Sequence, residues 1–245
     1  MPTEMEPPMQ DDKSRAYYDE FSRSYERGRK QGYHALVDDL EIGIALPLAR
    51  DRDVLEVGCG TGLILERLAS VAREAAGVDL SLGMVQKARA RGLRVALGSA
   101  TKLPFASDRF DLVCSFKVLA HVPDIAGALA EIARVTRPGG YMALEFYNPW
   151  SLRYLAKRIA GPRPIGDART EADVYTRWDT PRAIERLIPP HVEIVGYRGV
   201  RVITPAAFVH DVPLLGSALA RAEHALVDSR LSTFGGFLVA LMRKR

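Results

Sequence analysis

The apolar positions along this chain change period several times, and those changes mark out its elements. Over residues 13–46 they recur at helical spacing, with Tyr17, Tyr18, Phe21 and Tyr25 on one face. A continuous apolar run then covers Asp53–Val57, as in a strand buried on both faces, and Leu63–Val71 returns to the helical period. Next come a strand at Ala75–Val78 ending on Asp79, a helix at Leu82–Ala90, a strand at Arg94–Leu97 and a strand at Phe110–Phe116. A helix at Ile125–Val135 is stopped by Arg137-Pro138-Gly139-Gly140, and Tyr141 opens a strand that runs to Phe146. This alternation predicts an α/β fold, a mostly parallel sheet with helices on both faces.

Beyond Tyr147 the pattern is broken by prolines. It contains a short helix (Ser151–Ile159), a polar loop (Gly161–Asp173), a helix (Thr180–Leu187), a long strand (Val192–Val202) and a last strand (Gly236–Met242). Between these strands, residues 204–232 carry apolar positions at Leu214, Leu215, Ala218, Leu219, Ala222, Ala225 and Leu226. A stripe that wide packs on something: core cover, a substrate lid and a homodimer contact all fit it.

Composition narrows the function classes. A chain of 245 residues can bury a sizeable core, and 47% hydrophobic with 26% charged residues is ordinary for a soluble enzyme. The net charge of +4 is dispersed, with no basic block longer than Arg243-Lys244-Arg245, which argues against nucleic acid as a partner. Cys59 and Cys114 sit inside apolar segments and read as buried thiols of a reducing compartment. The acidic, proline-containing start is no signal peptide, and no apolar run approaches the ~20 residues of a membrane span. The expected location is cytoplasmic.

The chemistry concentrates after the first strand. In Val54-Leu55-Glu56-Val57-Gly58-Cys59-Gly60-Thr61-Gly62, glycines fall at every second position between a strand and a helix, so backbone can touch a ligand there. Glu56 beside the loop disfavours a phosphate and suits an ammonium or free hydroxyls. Asp79 follows at the end of the second strand, about 20 residues beyond Gly58, the interval at which an acid reaches the hydroxyls of a ribose. An N-cap role for Asp79 remains open beside that one.

The chain resembles the class I S-adenosylmethionine-dependent methyltransferases, near the small-molecule branch of ubiquinone-type C-methylases. The resemblance rests on LEVGCGTG (55–62), GVDLSLGMVQKAR (77–89), LPFASDRFDLV (103–113), HVPD (121–124) and LAEIARVTRPGGYMALE (129–145). It implies a Rossmann-like three-layer sandwich whose mostly parallel seven-stranded sheet has an antiparallel last strand. It also implies an organisation of disordered tail (1–12), N-terminal helical lid (13–46), cofactor-binding core (47–148) and acceptor cap with the last two strands (149–245). S-adenosylmethionine is the implied cofactor and no metal is implied. Gly58, Gly60 and Gly62 would receive the methionine portion, Glu56 the ammonium, Asp79 the ribose, and Leu80 and Met84 the adenine faces. Phe116 would lie beside the sulfonium, and Tyr25, in SRSYERG (22–28), would reach the cofactor from the lid.

One departure stands out. Similar enzymes carry an acid before the alanine that follows the third strand, where this chain has Ser99-Ala100. Ser99 can still accept the adenine amino hydrogen and the Ala100 amide can donate, at a cost on the order of 1 kcal/mol.

His121 is the histidine best placed for acid–base work, with Tyr25 as the second catalytic candidate. His121 as a structural part of HVPD is the other reading. His210 and His224 are candidates for lining the acceptor pocket; His34 and His191 read as surface residues. Lys117 fits an anion-orienting residue, a base or an ion-pair partner. Arg153, Arg158, Arg177, Arg182 and Arg201 suit an apolar or weakly anionic small-molecule acceptor, and equally a solvated surface. Three alternatives stay open: a nucleic-acid methyltransferase, on the strength of Asn148-Pro149-Trp150; an NAD-dependent oxidoreductase; and a non-catalytic scaffold that binds the cofactor.

Overall fold

The computed structural model describes residues 10–29, 31–161, 164–165, 169–170, 174–212 and 214–245. Residues 1–9 of the expected disordered tail and most of the expected 161–173 loop lie outside the described residues. The chain forms α1 (Gln10–Phe21), α2 (Gly32–Ala49), β1 (Asp53–Val57), α3 (Leu63–Ala69), β2 (Glu74–Asp79), α4 (Leu82–Ala90), β3 (Val95–Leu97) and β4 (Phe110–Ser115). It continues through α5 (Ile125–Val135), β5 (Thr136–Tyr147), α6 (Leu152–Ala160), the two-residue strands β6 (Pro164–Ile165) and β7 (Arg169–Thr170), α7 (Pro181–Leu187), β8 (Val192–Val200), α8 (Leu215–Leu226) and β9 (Phe237–Lys244).

Seven strands make one sheet in the order β3-β2-β1-β4-β5-β9-β8. The first five are parallel, and β9 runs antiparallel between β5 and β8. The expected Rossmann-like sandwich is therefore the observed one. All five residues of β1 are buried, the mark of a parallel strand covered on both faces. Side-chain alternation sorts the strands into two cores. Leu55, Val113, Met142 and Leu144 pack with Leu129, Ile132 and Ile184 of α5 and α7. Val54, Leu112, Cys114 and Ala143 pack with Leu36, Val37 and Leu40 of α2 and Ile64 and Leu68 of α3. Strand order reverses between β1 and β4, and a crevice opens there at the carboxyl ends of the strands.

Three expectations change. The leading helical stretch is two helices: turns over residues 22–29 separate α1 from α2, and Gly28 and Gly32 take positive φ of 75° and 60°. Arg137–Gly140 does not stand apart as a turn, because β5 begins directly at Thr136. Pairing with β4 jumps from Phe110↔Thr136 to Leu112↔Tyr141, so the proline and glycines are absorbed as an irregularity of the strand. The stripe on α8 is also narrower than expected. Leu214 and Leu215 are exposed, whereas Glu223 is buried and accepts from Val202 N (2.7 Å), Ile203 N (3.0 Å) and Thr204 N (2.8 Å). A buried carboxylate that ties down the end of β8 is invisible to a count of apolar positions.

Candidate active site

The loop between β1 and α3 turns through three left-handed glycines, Gly58 (φ 74°), Gly60 (φ 55°) and Gly62 (φ 86°). Their surroundings differ. An added Cβ at Gly58 would meet Val118 Cγ2 at 2.2 Å, and one at Gly62 would meet Leu93 Cδ1 at 2.4 Å. Those two glycines are required by packing. Gly60 faces a cleft of ≈ 340 Å³, and its nearest neighbour on that side is Tyr25 Oη, 3.7 Å from an added Cβ.

Asp79 closes the loop from the end of β2. Its Oδ2 accepts from Gly60 N at 2.8 Å and its Oδ1 accepts from Ser81 N at 2.9 Å. Each oxygen keeps a second lone pair, and Asp79 borders the cleft. Burial pushes its carboxyl above the ordinary range, against the pull of those two backbone bonds. The N-cap of α4 is Ser81, whose Oγ accepts from Met84 N at 3.1 Å, so Asp79 is not the cap. Leu80, Ser99, Ala100 and Phe116 also border the cleft; Met84 does too while being 2% exposed, so its packing and lining roles coincide. Ser99 Oγ lies 2.9 Å from Thr101 Oγ1.

Glu56 lies behind the loop at 3% exposure, and its Oε2 has no hydrogen-bond partner. Burial drives its carboxyl well above the ordinary range, Lys117 opposes this, and the nearby acids Glu41 and Asp79 add to it. Neither Glu56 nor Gly62 borders the cleft directly. Lys117, at φ 60°, is an ion-pair partner: its Nζ donates to Asp38 Oδ1 (2.8 Å) and Glu41 Oε2 (2.7 Å), and its backbone N donates to Glu145 Oε1 (3.0 Å).

The roof is the N-terminal segment. Asp19 Oδ1 accepts from Ser81 Oγ (2.6 Å) and Gly83 N (2.9 Å), and Lys87 Nζ donates to Ser22 O (2.5 Å). A Cβ on Gly83 would lie 2.4 Å from Ser22 Oγ, so the glycine is what lets α1 approach α4. Sequence reasoning missed this latch because Asp19 and Gly83 are far apart in the chain. Beyond it, Tyr25 carries the Arg29 guanidinium on its ring at 4.4 Å, and Arg29 donates to Asp38 at 2.8 Å.

The far wall holds His121. Its Nδ1 lies 2.8 Å from Tyr175 O, a contact that requires the Nδ1–H tautomer and leaves Nε2 as the acceptor. Nε2 lies 3.4 Å from Tyr147 Oη. Burial lowers the imidazole's affinity for a proton, the Tyr175 contact opposes this, and the charges of Arg153 and Lys157 reinforce it. Burial also raises the Tyr147 hydroxyl to about 12, so it stays protonated. The other histidines do not join it: His210 contacts Thr204 Oγ1 at 3.1 Å, and His34, His191 and His224 are exposed. Of the five arginines considered, Arg153 alone borders the cleft. Arg177 pairs with Asp179 at 2.7 Å, and Arg201 donates to Thr204 O at 2.8 Å and to Tyr33 Oη at 3.0 Å.

Asn148 is fully buried and its amide donates to Thr233 O (2.8 Å) and Gly235 O (3.1 Å), which makes it a structural tie. Cys59 and Cys114 are buried free thiols. Among the described residues there is no group of acids, histidines or cysteines arranged for a metal, and no helix is long and apolar enough to cross a membrane.

Two features suit S-adenosylmethionine: a strand-end carboxylate in the cleft with lone pairs to share, and an orphaned carboxyl oxygen buried just behind the glycine loop. The comparisons agree. Residues 55–144 match the family described as "Methyltransferase domain". A demethylmenaquinone methyltransferase of Mycolicibacterium gilvum is 32% identical over 170 residues, which span 64% of this chain and 73% of that relative. Its counterpart in Mycobacterium marinum is 39% identical over 139 residues, 54% of this chain and 60% of the relative's length. A SAM-dependent methyltransferase of Thermotoga maritima shares the fold at a TM-score of 0.66 and 20% identity, with 94% of this chain and 99% of that one covered. The chain belongs to the class I S-adenosylmethionine-dependent methyltransferases, and S-adenosylmethionine is its cofactor.

Proposed function

We propose that this enzyme methylates a small-molecule acceptor, with His121 Nε2 as the base and the glycine-loop side of the cleft as the donor site. The observation that carries the reading is the pairing, in one cleft, of Gly60 and Asp79 on one wall with a tautomer-fixed, unprotonated imidazole on the other. The relatives named demethylmenaquinone methyltransferase support a metabolite of quinone type as acceptor.

Gly58 and Gly60 would shape the bed for the methionine portion, Gly62 would hold the turn behind them, and Glu56 would answer the ammonium from behind the loop. Asp79 would hold the ribose hydroxyls; Leu80, Met84, Ser99 and Ala100 would surround the adenine, and Phe116 and Tyr25 would screen the reacting centre from water. The cofactor supplies a methyl group already activated on a sulfonium, so alignment is the protein's main contribution. An acceptor O–H, N–H or acidic C–H gives its proton to His121 Nε2. The acceptor atom would take up the methyl group that the bound cofactor supplies, with the sulfonium leaving as a neutral thioether, and His121 would keep the proton. Tyr147 Oη, 3.4 Å from Nε2, is placed to hold the acceptor atom or the imidazole in line.

Calorimetry with S-adenosylhomocysteine and NAD, and transfer of labelled methyl into a metabolite extract, test this. The expected result is binding of adenosylhomocysteine and not NAD, with Asp79→Ala weakening it at least ~100-fold, and label in a low-molecular-weight product. Label appearing only in RNA or DNA would replace the small-molecule acceptor, and unchanged affinity in Asp79→Ala would sink the donor-site assignment.

A further inference from the structure

We infer that Arg153 is the anchor for the acceptor, and that the acceptor is an apolar small molecule bearing an anionic oxygen group, a carboxylate or an acidic phenol. This rests on the methyl-transfer reading and names its substrate class.

Arg153 sits on α6, where its guanidinium lies over the rings of Tyr147 (4.1 Å), Phe237 (4.4 Å) and Trp178 (4.9 Å). Ring faces attract a cation but accept none of its in-plane N–H bonds. Its Nη1 is buried and has no hydrogen-bond partner. Among the described residues no carboxylate pairs with it, in contrast to Arg29, which holds Asp38, and Arg177, which holds Asp179. A buried donor left this way costs free energy until something accepts from it. The cage is built around this side chain: a Cβ on Gly236 would lie 2.9 Å from Arg153 Cβ, so only glycine there leaves room for its stem.

Arg153 borders the same cleft as Gly60 and His121, and the lining of that cleft also includes Val122, Pro123 and Val174. Lys157, one helical turn on, borders it too, and both cations act on His121. Planar, delocalised oxygen anions match a guanidinium fork, and the apolar wall takes the body of the molecule. The anion so held is the handle, separate from the atom that His121 deprotonates.

The test uses the full chain saturated with S-adenosylhomocysteine, titrated with 1-naphthoate, 2,4-dinitrophenolate and the neutral 1-naphthamide. Wild-type protein should bind at least one of the anions roughly tenfold or more tightly than the amide. Arg153→Gln should erase that preference, bringing the anions to the affinity of the amide, and Arg153→Lys should keep part of it. Naphthoate preference marks a carboxylate acceptor, and dinitrophenolate preference an acidic phenol. Equal binding of all three probes by wild type overturns the inference without any variant, as does a preference that survives Arg153→Gln. Adenosylhomocysteine affinity is the control: its absence in wild type would strike the methyl-transfer reading itself, whereas its presence with no anion preference strikes only this one.

Discussion

Glu56 has lost water without gaining a partner for Oε2, so its carboxyl holds its proton above the ordinary carboxylate range. An ammonium brought beside it favours the ionised form. Cofactor binding should therefore release a proton, and affinity should rise with pH until the free protein's Glu56 itself ionises. Titrating S-adenosylhomocysteine in buffers of different ionisation heat reads the released proton directly, and Glu56→Gln should abolish it. His121 must also be deprotonated to act, but its shift runs the other way. Its imidazole titrates below the usual histidine range, chiefly through burial, so turnover should rise through that low value and stay flat at neutral pH. His121→Ala should cut turnover by about 10²–10⁴ with adenosylhomocysteine affinity unchanged, and equal turnover would return the residue to a structural role.

At the scale of elements, the junction of α1 with α4 roofs the cleft, and under the proposed function it should control access to the donor. Asp19→Ala removes the acceptor of two hydrogen bonds, from Ser81 Oγ and Gly83 N, and should loosen the roof by about 1–2 kcal/mol. Stopped-flow release of S-adenosylhomocysteine should quicken roughly tenfold, while global unfolding changes little. Gly83→Ala should act alike, since its Cβ would lie 2.4 Å from Ser22 Oγ. These contacts explain what the sequence could not show. The strand–glycine–helix run at 53–69, the acid at the end of the second strand and the succession of strands along the chain were legible because each follows from local period and turn chemistry, while the antiparallel last strand came from the resemblance. The Asp19 latch, the aromatic cage of Arg153 and the break between α1 and α2 were not legible. The first two depend on side chains brought together from distant parts of the chain, where local pattern carries no signal, and the break falls in a short glycine-bounded turn inside a continuous helical period. The absorption of Pro138-Gly139 into β5 was hidden for a related reason: pairing with β4 overrode two residues that ordinarily mark a turn.

Across the molecule, the two ends of the sheet have different tasks. At the end away from the cleft, Asp53 gathers Arg73 (2.8 Å), Arg109 (2.6 Å) and Arg137 (3.0 Å), fastening the starts of β1, β2, β4 and β5. The hydrogen bond from Arg73 leads in holding the Asp53 carboxyl far below its ordinary range, with Arg137 and Arg109 adding to it against burial. A lowered carboxyl contributes stability above the ordinary carboxylate range and loses it as pH falls. Asp53→Asn should lower the unfolding midpoint at neutral pH, by about 2–4 °C per kcal/mol lost, and the gap from wild type should close in acid. At the opposite end, the place where the roof is tied has a kinetic meaning for the proposed reaction. The roof is fastened to α4, on the donor side, while the Arg153 wall is carried by α6. With the donor beneath this latch, as proposed, an acceptor should come and go with the latch closed, whereas the spent donor should leave only after Asp19 lets go. Turnover should then be ordered: donor in first, methylated product out before adenosylhomocysteine. Initial-rate studies should show adenosylhomocysteine competing with the donor and not with the acceptor, so cellular methylation potential would throttle this enzyme through its latch.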